Sequence, residues 1–200
     1  MRISRKAKEE NRKKILKTAT TLFTEKGFEK TTTRDIATVM GMASGTMFNY
    51  FASKHALAMT LALEALERGR RSYARRRAGC EGFVEDLFLL ITSELRMLKP
   101  YRAFIGPVLE SAMSLFAKST VNAAGEKAKK EHLEIVEKIM THHGHPAAPS
   151  FMSINLYWTL YLGILAFWST DESKNQEETL AFIDYALQLF AQTISGSPCE

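Results

Sequence analysis

The 200-residue sequence predicts an all-α protein, with a small N-terminal module over residues 1–53 and a larger helical body over residues 54–200. Three observations predict it. Apolar residues recur at three- and four-residue spacing along the chain, with no stretch of strict alternation. Glycines and prolines interrupt that pattern at helix-length intervals. Charge is unevenly split: residues 1–56 hold 12 Lys and Arg against 5 Asp and Glu, a net of +7, and the remaining 15 against 17 give −2, which sum to the formal +5. A cationic module on a near-neutral body points to one polyanion-facing end.

Length and cysteine usage set the frame. A chain of this size buries a sizeable core as one domain or two small ones. Cys80 and Cys199 stand apart, without the spacing of a disulfide framework or a zinc site, and residues 1–17 are basic without the apolar centre of a secretory signal. The expectation is a cytoplasmic protein.

The first helix is predicted over about residues 8–26, where Ile15, Ala19, Leu22 and Phe23 share one face. Gly27 supplies its left-handed stop, and Phe28 folds back on Phe23. Arg2, Arg5, Lys6 and Lys8 read as an arm ahead of it, able to reach phosphates or a minor groove, or simply to stay solvated. Thr32 with Asp35 three residues on fits a capping box, followed by a short apolar face of Ile36, Ala37 and Met40 that stops at Gly41. After that turn Met42, Met47 and Phe51 point inward, and Ser44, Gly45, Thr46, Phe48, Asn49 and Tyr50 cannot all do so. Two short helices around a glycine turn form the helix-turn-helix layout, with Ala37 small enough for a close crossing. The second helix of such a unit enters the major groove of double-stranded DNA by its N-terminal residues. Ser44 and Asn49 can bond base edges there, and the Thr46 methyl can contact thymine.

Residues 12–57, RKKILKTATTLFTEKGFEKTTTRDIATVMGMASGTMFNYFASKHAL, resemble the DNA-binding module of the TetR family of bacterial transcriptional regulators. The resemblance rests on the GF stop, TTTRDIA, the glycine turn, GTMFNYF and SKHAL together. It implies a three-helix helix-turn-helix DNA reader at 1–53 and a ligand-binding and dimerisation domain at 54–200. It further implies phosphate contacts by Thr32, Thr33, Tyr50 and Lys54, and base readout by Ser44, Gly45 and Asn49. The chain departs from the family pattern in three places. Phe48 replaces a tyrosine whose hydroxyl holds a phosphate, Ala43 replaces a capping serine so that Ser44 can cap instead, and Ser44 replaces a frequent lysine or proline. The operator is therefore not transferable from relatives.

The body opens with a helix from Lys54 to about Arg77, ending in the arginine-rich ERGRRSYARRR. At about 1.5 Å per residue Arg76 lies roughly 33 Å from Lys54, too far for a second DNA contact. The run reads as a solvated face braced by Glu64 with Arg68 and Glu67 with Arg71. Further helices are predicted at 82–98, 101–117 with an internal Pro107, 122–142, 150–170 and 174–194.

Glu94 interrupts the apolar stripe of Phe83, Leu87, Leu90, Met97 and Tyr101, and Glu110 is the sole charge in FIGPVLESAMSLF. Buried carboxylates need partners, so each either pairs internally, with Arg102 or a histidine, or anchors a ligand in an apolar pocket. In the second case Phe88, Phe104, Phe116, Tyr157, Trp158 and Tyr161 supply walls for a small, largely apolar effector, with Glu94, Phe104, Glu110, Tyr157, Trp158 and Tyr161 as the candidate effector site. Residues 151–168 carry no charge, but Ser153, Asn155 and Thr159 and the flanking Pro149 and Asp171 favour a buried helix over a membrane span. The last helix has two adjacent apolar stripes, Leu180, Ile183, Leu187, Phe190 and Ile194 beside Phe182, Ala186, Leu189 and Thr193. Two such helices predict a four-helix homodimer interface and hence an inverted-repeat operator.

His142, His143 and His145 read as a helix stop at Gly144 rather than a metal site, and no catalytic constellation, metal site or cofactor motif stands out. The expectation is a DNA-binding regulator, a repressor released by its effector, and not an enzyme. The alternative is a ligand-independent helix-turn-helix regulator or chromosome-organising factor.

Overall fold

The computed structural model describes residues 4–106, 123–145 and 151–195, and no strand occurs among them. In chain order the helices are α1 (Arg5–Glu25), α2 (Thr33–Val39), α3 (Ser44–Phe48), α4 (Lys54–Arg76) and α5 (Phe83–Leu98). They are followed by α6 (Ala123–His142), α7 (Phe151–Thr170) and α8 (Glu177–Ser195). A 3₁₀ turn at Lys99–Tyr101 continues helically through residues 102–106, and another at Lys174–Gln176 leads into α8. Glu110 and Phe116, most of the helix expected at 101–117, Arg2 and Cys199 lie outside the described residues.

The head is assembled by local signals. Ser4 caps α1, its hydroxyl accepting from the Ala7 amide at 3.2 Å. Helix formation therefore starts early enough to place Arg5, Lys6 and Lys8 on α1 rather than on an arm before it. Gly27 takes φ +89°, and the Phe23 and Phe28 rings meet edge to face at 5.0 Å. Ile15, Ala19, Phe23, Ile36, Met47, Phe51 and Leu57 form the buried centre on which α1 to α4 converge.

The body is organised around α5, which packs along the C-terminal half of α4 and also meets α6 and α8. Gly69 makes the α4–α5 crossing possible, because a Cβ there would lie 2.5 Å from the Glu94 Cα. The arginine run is a solvated face only in part: Arg71, Arg75 and Arg76 are exposed, whereas Arg68, Arg70 and Arg77 turn to partners within the chain. Arg71 does pair with Glu67 at 2.5 Å, but Glu64 pairs with Arg12 of α1 at 2.9 Å and Arg68 donates to the Tyr101 hydroxyl at 3.3 Å. Arg70 is buried, and Arg77 bonds the fully buried Asp86 at 2.8 Å. Long side chains lie back along neighbouring helices, which the spacing along one helix does not reveal.

At the far end Gly144, at φ +79°, closes α6, with the His145 amide bonded to the Met140 carbonyl at 3.0 Å. His143 then reaches Asp86 at 3.2 Å, and His145 packs on the Phe83 ring. Asp171 ties the corner between α7 and α8, accepting from the Thr179 amide at 3.0 Å and the Ser173 amide at 2.8 Å. The Ser173 and Thr179 bonds hold its carboxyl well below the usual carboxylate range.

Candidate nucleic-acid interface and the network behind it

The reading helix is short and is aimed by its two ends. Thr32 and Asp35 form the predicted capping box, with the Asp35 amide 3.1 Å from the Thr32 hydroxyl and the Thr32 amide 2.8 Å from the Asp35 carboxylate. These bonds lower the Asp35 carboxyl from its ordinary value. Helix α2 ends in a Schellman turn: Met42 N bonds Ala37 O at 2.9 Å and Gly41 N bonds Thr38 O at 3.0 Å. Gly41 sits at φ +63°, a conformation that a side chain would strain. Met47 is then fully buried, which fixes the rotation of α3 about its axis.

That rotation exposes Gly45 and Asn49, and leaves Ser44 and Thr46 half-covered at the front of the helix. Ala43 occupies the N-cap position, and no side chain caps the helix. Ser44 follows it as the first helical residue, so its hydroxyl is not used for capping. Phe48 is 53% exposed, a water-facing ring on the outer surface of the reader. Thr32 is exposed and Thr33 partly so, at the start of α2. Tyr50 is half-buried, and its hydroxyl accepts from the Asn11 side chain at 3.3 Å, which ties the end of α3 to α1.

Lys54 is engaged within the chain. Its three ammonium protons face three acceptors, the Phe28 carbonyl at 3.0 Å, the Glu29 carbonyl at 3.2 Å and the Glu29 carboxylate at 3.3 Å. Its nitrogen also sits 4.5 Å from the centre of the Phe28 ring. In this arrangement the side chain closes the turn after α1, and a phosphate contact would have to displace one of those bonds.

Behind the head, the candidate effector residues fall into two groups. Glu94, Tyr157, Trp158 and Tyr161 come together, all at 1% exposure or less. Tyr161 donates to Glu94 at 2.8 Å, His132 Nδ1 lies 3.0 Å from the same carboxylate, and His132 Nε2 is 3.0 Å from the Tyr157 hydroxyl. Arg70 completes the set, 3.4 Å from Glu94 and 2.5 Å from Glu131. Burial alone pushes the Glu94 carboxyl up, yet the charge and hydrogen bond of His132, with Arg70 and Tyr161, outweigh it and hold the group below its ordinary value. Burial and the Glu94 charge push both tyrosines well above theirs. The internal partner of Glu94 is thus a histidine together with Arg70, and Arg102 serves elsewhere.

Phe104 lies outside the Glu94 network. It is buried against the head, 5.1 Å from the Phe23 ring and stacked at 6.4 Å on Phe28. Sequence spacing gave its inward face but not the neighbour it faces. The second buried acid, Asp86, was also missed; it accepts from Tyr73 at 2.6 Å and pairs with Arg77 and His143. Its signal was available, because Asp86, Leu90 and Glu94 recur at i, i+4 and i+8 on α5. A groove of about 720 Å³ runs outside the network between α1, α4 and α6, crossed by the Arg12–Glu64 and Arg70–Glu131 pairs.

Comparison with known proteins places this geometry. Residues 15–59 match the model for bacterial regulatory proteins of the tetR family, and residues 87–200 match the tetracyclin repressor-like C-terminal domain. The HTH-type transcriptional repressor KstR2 of Rhodococcus jostii is 27% identical over 131 residues, covering 66% of this chain; the chain spans half the length of that relative. Among solved structures, Thermus thermophilus FadR, a TetR family repressor in complex with lauroyl-CoA, has a TM-score of 0.68 at 19% identity, covering 94% of this chain and 98% of its own. KstR2 of Mycobacterium tuberculosis has a TM-score of 0.56 at 19% identity, covering 89% of this chain and 96% of its own. At such identities the structures speak for the fold, and the two domain matches, the second spanning more than half the chain, speak for descent. With its helix-turn-helix at one end and its repressor-like helical body at the other, the chain belongs to the tetR family of bacterial regulatory proteins, which are transcriptional regulators.

Proposed function

We propose that the protein is a cytoplasmic homodimeric repressor that binds an inverted-repeat operator through residues 1–53 and is released when a small, largely apolar effector binds within residues 54–200. The observation that carries the DNA reading is the front of α3, where Gly45 and Asn49 are exposed beside Ser44 and Thr46 on the end of the molecule that holds the excess positive charge. Ser44, Gly45, Thr46 and Asn49 read the bases; Thr32, Thr33 and Tyr50 hold phosphates. Lys54 enters this set through the turn it braces, and contacts phosphate only by exchanging one of its bonds.

Pairing is supported by α7 and α8. Met152, Leu156, Thr159, Gly163, Ala166, Phe167 and Thr170 lie toward solvent along one uncharged side of α7, and only 33% of the helix's most apolar window is buried. Leu180, Tyr185 and Leu189 are exposed on the adjoining α8. A helix this apolar with one covered side is completed by a second copy more economically than by water. The resulting pair presents two reading helices for successive major grooves, roughly 34 Å apart.

The effector reading rests on the inner wall of Tyr157, Trp158 and Tyr161 around Glu94, and on a relative whose structure contains lauroyl-CoA. Glu110 is retained as a further anchor from sequence alone. An effector that takes the Glu94 carboxylate from His132 and Arg70 loosens the hold of the body on α4 and so shifts the heads. Such coupling between sites typically amounts to about 1–3 kcal/mol and is reciprocal. A second reading, ligand-independent regulation or chromosome organisation, is favoured by the closure of the network, in which every Glu94 oxygen already has a partner.

The test is selection of bound duplexes from a random library, followed by titration with a medium-chain acyl-CoA. The expected outcome is an enriched inverted repeat whose discrimination over random DNA collapses in Asn49→Ala, at a cost of about 1–3 kcal/mol. Enrichment of no symmetric sequence contradicts the DNA reading. An operator affinity indifferent to acyl-CoA, with acyl-CoA bound, selects the ligand-independent reading.

A further inference from the structure

Gly27 and Gly41 of the head each sit at positive φ, where a side chain would strain the backbone. Gly45 is different. It is the second residue of α3, its φ is not positive, and a Cβ added to it would meet nothing within 4 Å. Neither the backbone nor the packing of the free protein asks for a glycine there, and glycine inside a helix is less favourable than alanine. What the missing side chain makes room for therefore lies outside the chain.

Phe48 is the second anomaly of the same surface. Met47 beside it is fully buried, whereas the Phe48 ring is 53% exposed. Residues three apart share a helix face, with Cβ positions about 5–6 Å apart, and helical side chains lean toward the N-terminus. The Phe48 ring thus stands over the turn that holds Ser44 and Gly45. The result is an open notch, with the Gly45 methylene as its floor and a hydrocarbon ring as its wall.

We propose that this notch takes the 5-methyl group of a thymine in the major groove, which makes Phe48 a specificity-determining residue of the reader. A phosphate set against the ring loses water and gains no hydrogen bond from it, and every nucleotide carries the same sugar. The apolar group that projects from a base edge in the major groove is the thymine methyl. Ser44 and Asn49 select donors and acceptors; the notch selects a methyl, and so tells thymine from uracil, whose hydrogen-bonding edge is the same. Thr46 stands two positions from Phe48 and faces another way, so a thymine sensed by its methyl is a separate contact. This deepens the DNA reading proposed above and rests on it.

The experiment uses the full-length parent, Phe48→Ala, Phe48→Leu and Gly45→Ala, titrated by fluorescence anisotropy with the inverted repeat selected from a random library. Each thymine of the half-site is replaced in turn, symmetrically, by deoxyuridine, which deletes only the methyl. The parent is expected to bind about 15-fold more weakly when one symmetry-related pair of thymines is replaced, about 4-fold for each methyl buried. Phe48→Ala is expected to bind the thymine and deoxyuridine duplexes equally at that pair, and Phe48→Leu, which keeps an apolar wall, to retain a preference. Gly45→Ala is expected to melt no lower than the parent and yet to bind the thymine duplex more weakly. If a repeat is selected but none of its thymines is sensitive to methyl loss, or the sensitive one stays sensitive in Phe48→Ala, the proposal is overturned while the DNA reading stands. A loss in Phe48→Ala that is equal on operator and random duplexes assigns the ring to the sugar-phosphate backbone and overturns it as well. Should circular dichroism show the alanine variant unfolded, Phe48→Gln, which removes the apolar wall but keeps a long side chain, decides by the same criteria. Selection of no inverted repeat defeats both readings together.

Discussion

Glu94 carries four demands in one carboxylate: no water, a histidine, an arginine and a tyrosine. Removing its charge leaves Arg70 and His132 facing each other in the interior. Glu94→Gln is therefore expected to cost about 3–5 kcal/mol at neutral pH, the penalty for breaking a buried pair by one partner, measurable by urea denaturation. The sign of the pH dependence follows from its lowered folded-state value. The charge contributes its full stability above the unfolded value of 4.5 and loses it as pH falls through the lower folded value. The gap between parent and variant should accordingly close below pH 4.5, whereas a gap independent of pH would mean that the glutamine acts through shape alone. Parent and variant must be compared pairwise, because Asp171 is lowered too and adds acid sensitivity of the same sign. Sequence showed Glu94 as an interruption in an apolar stripe, but its histidine partner is 38 residues away and nothing local announces it. The internal contacts of Lys54 were illegible for the same reason: its neighbours in sequence marked a family pattern, while its contacts are made to a turn 25 and 26 residues earlier.

Among elements, α1 to α3 were the most legible because their signals are local. Caps at Thr32, glycines at 27 and 41 and the face of Ile15, Ala19 and Phe23 each act within a turn or two. The pairing of α4 with α5 was not legible, although it dominates the body. Its key is Gly69, which sits in an arginine-rich surface pattern and looks like a flaw in the helix. Gly69→Ala improves intrinsic helix propensity by about 1 kcal/mol, so propensity predicts stabilisation. Its new methyl would stand 2.5 Å from backbone of α5, so the helices must part. Overpacking of this kind costs about 1–3 kcal/mol. A net loss of stability in thermal or urea unfolding is expected; an alanine variant as stable as the parent would show that the two helices separate freely.

At the scale of the whole molecule, the proposed pairing rests on the uncharged side of α7. Gly163 lies at its middle, exposed, with nothing within 4 Å of an added Cβ. Gly163→Glu therefore disturbs nothing inside one chain and places a charge at the centre of the proposed interface. Sedimentation velocity at micromolar concentration is expected to show the parent as a pair and the variant as single chains of unchanged helix content. A variant that still pairs places the interface elsewhere. The same apolar composition that made residues 151–168 readable as a buried helix concealed which side was covered within the chain, since no charge marks the outer one.

That unmarked side of α7 also has an arithmetical consequence in the cell. If only couples of chains span two grooves, then while single chains predominate the number of functional molecules rises with the square of the copy number. A modest drop in synthesis, or the unequal share inherited by one daughter at division, would then open the controlled promoter without any chemical signal.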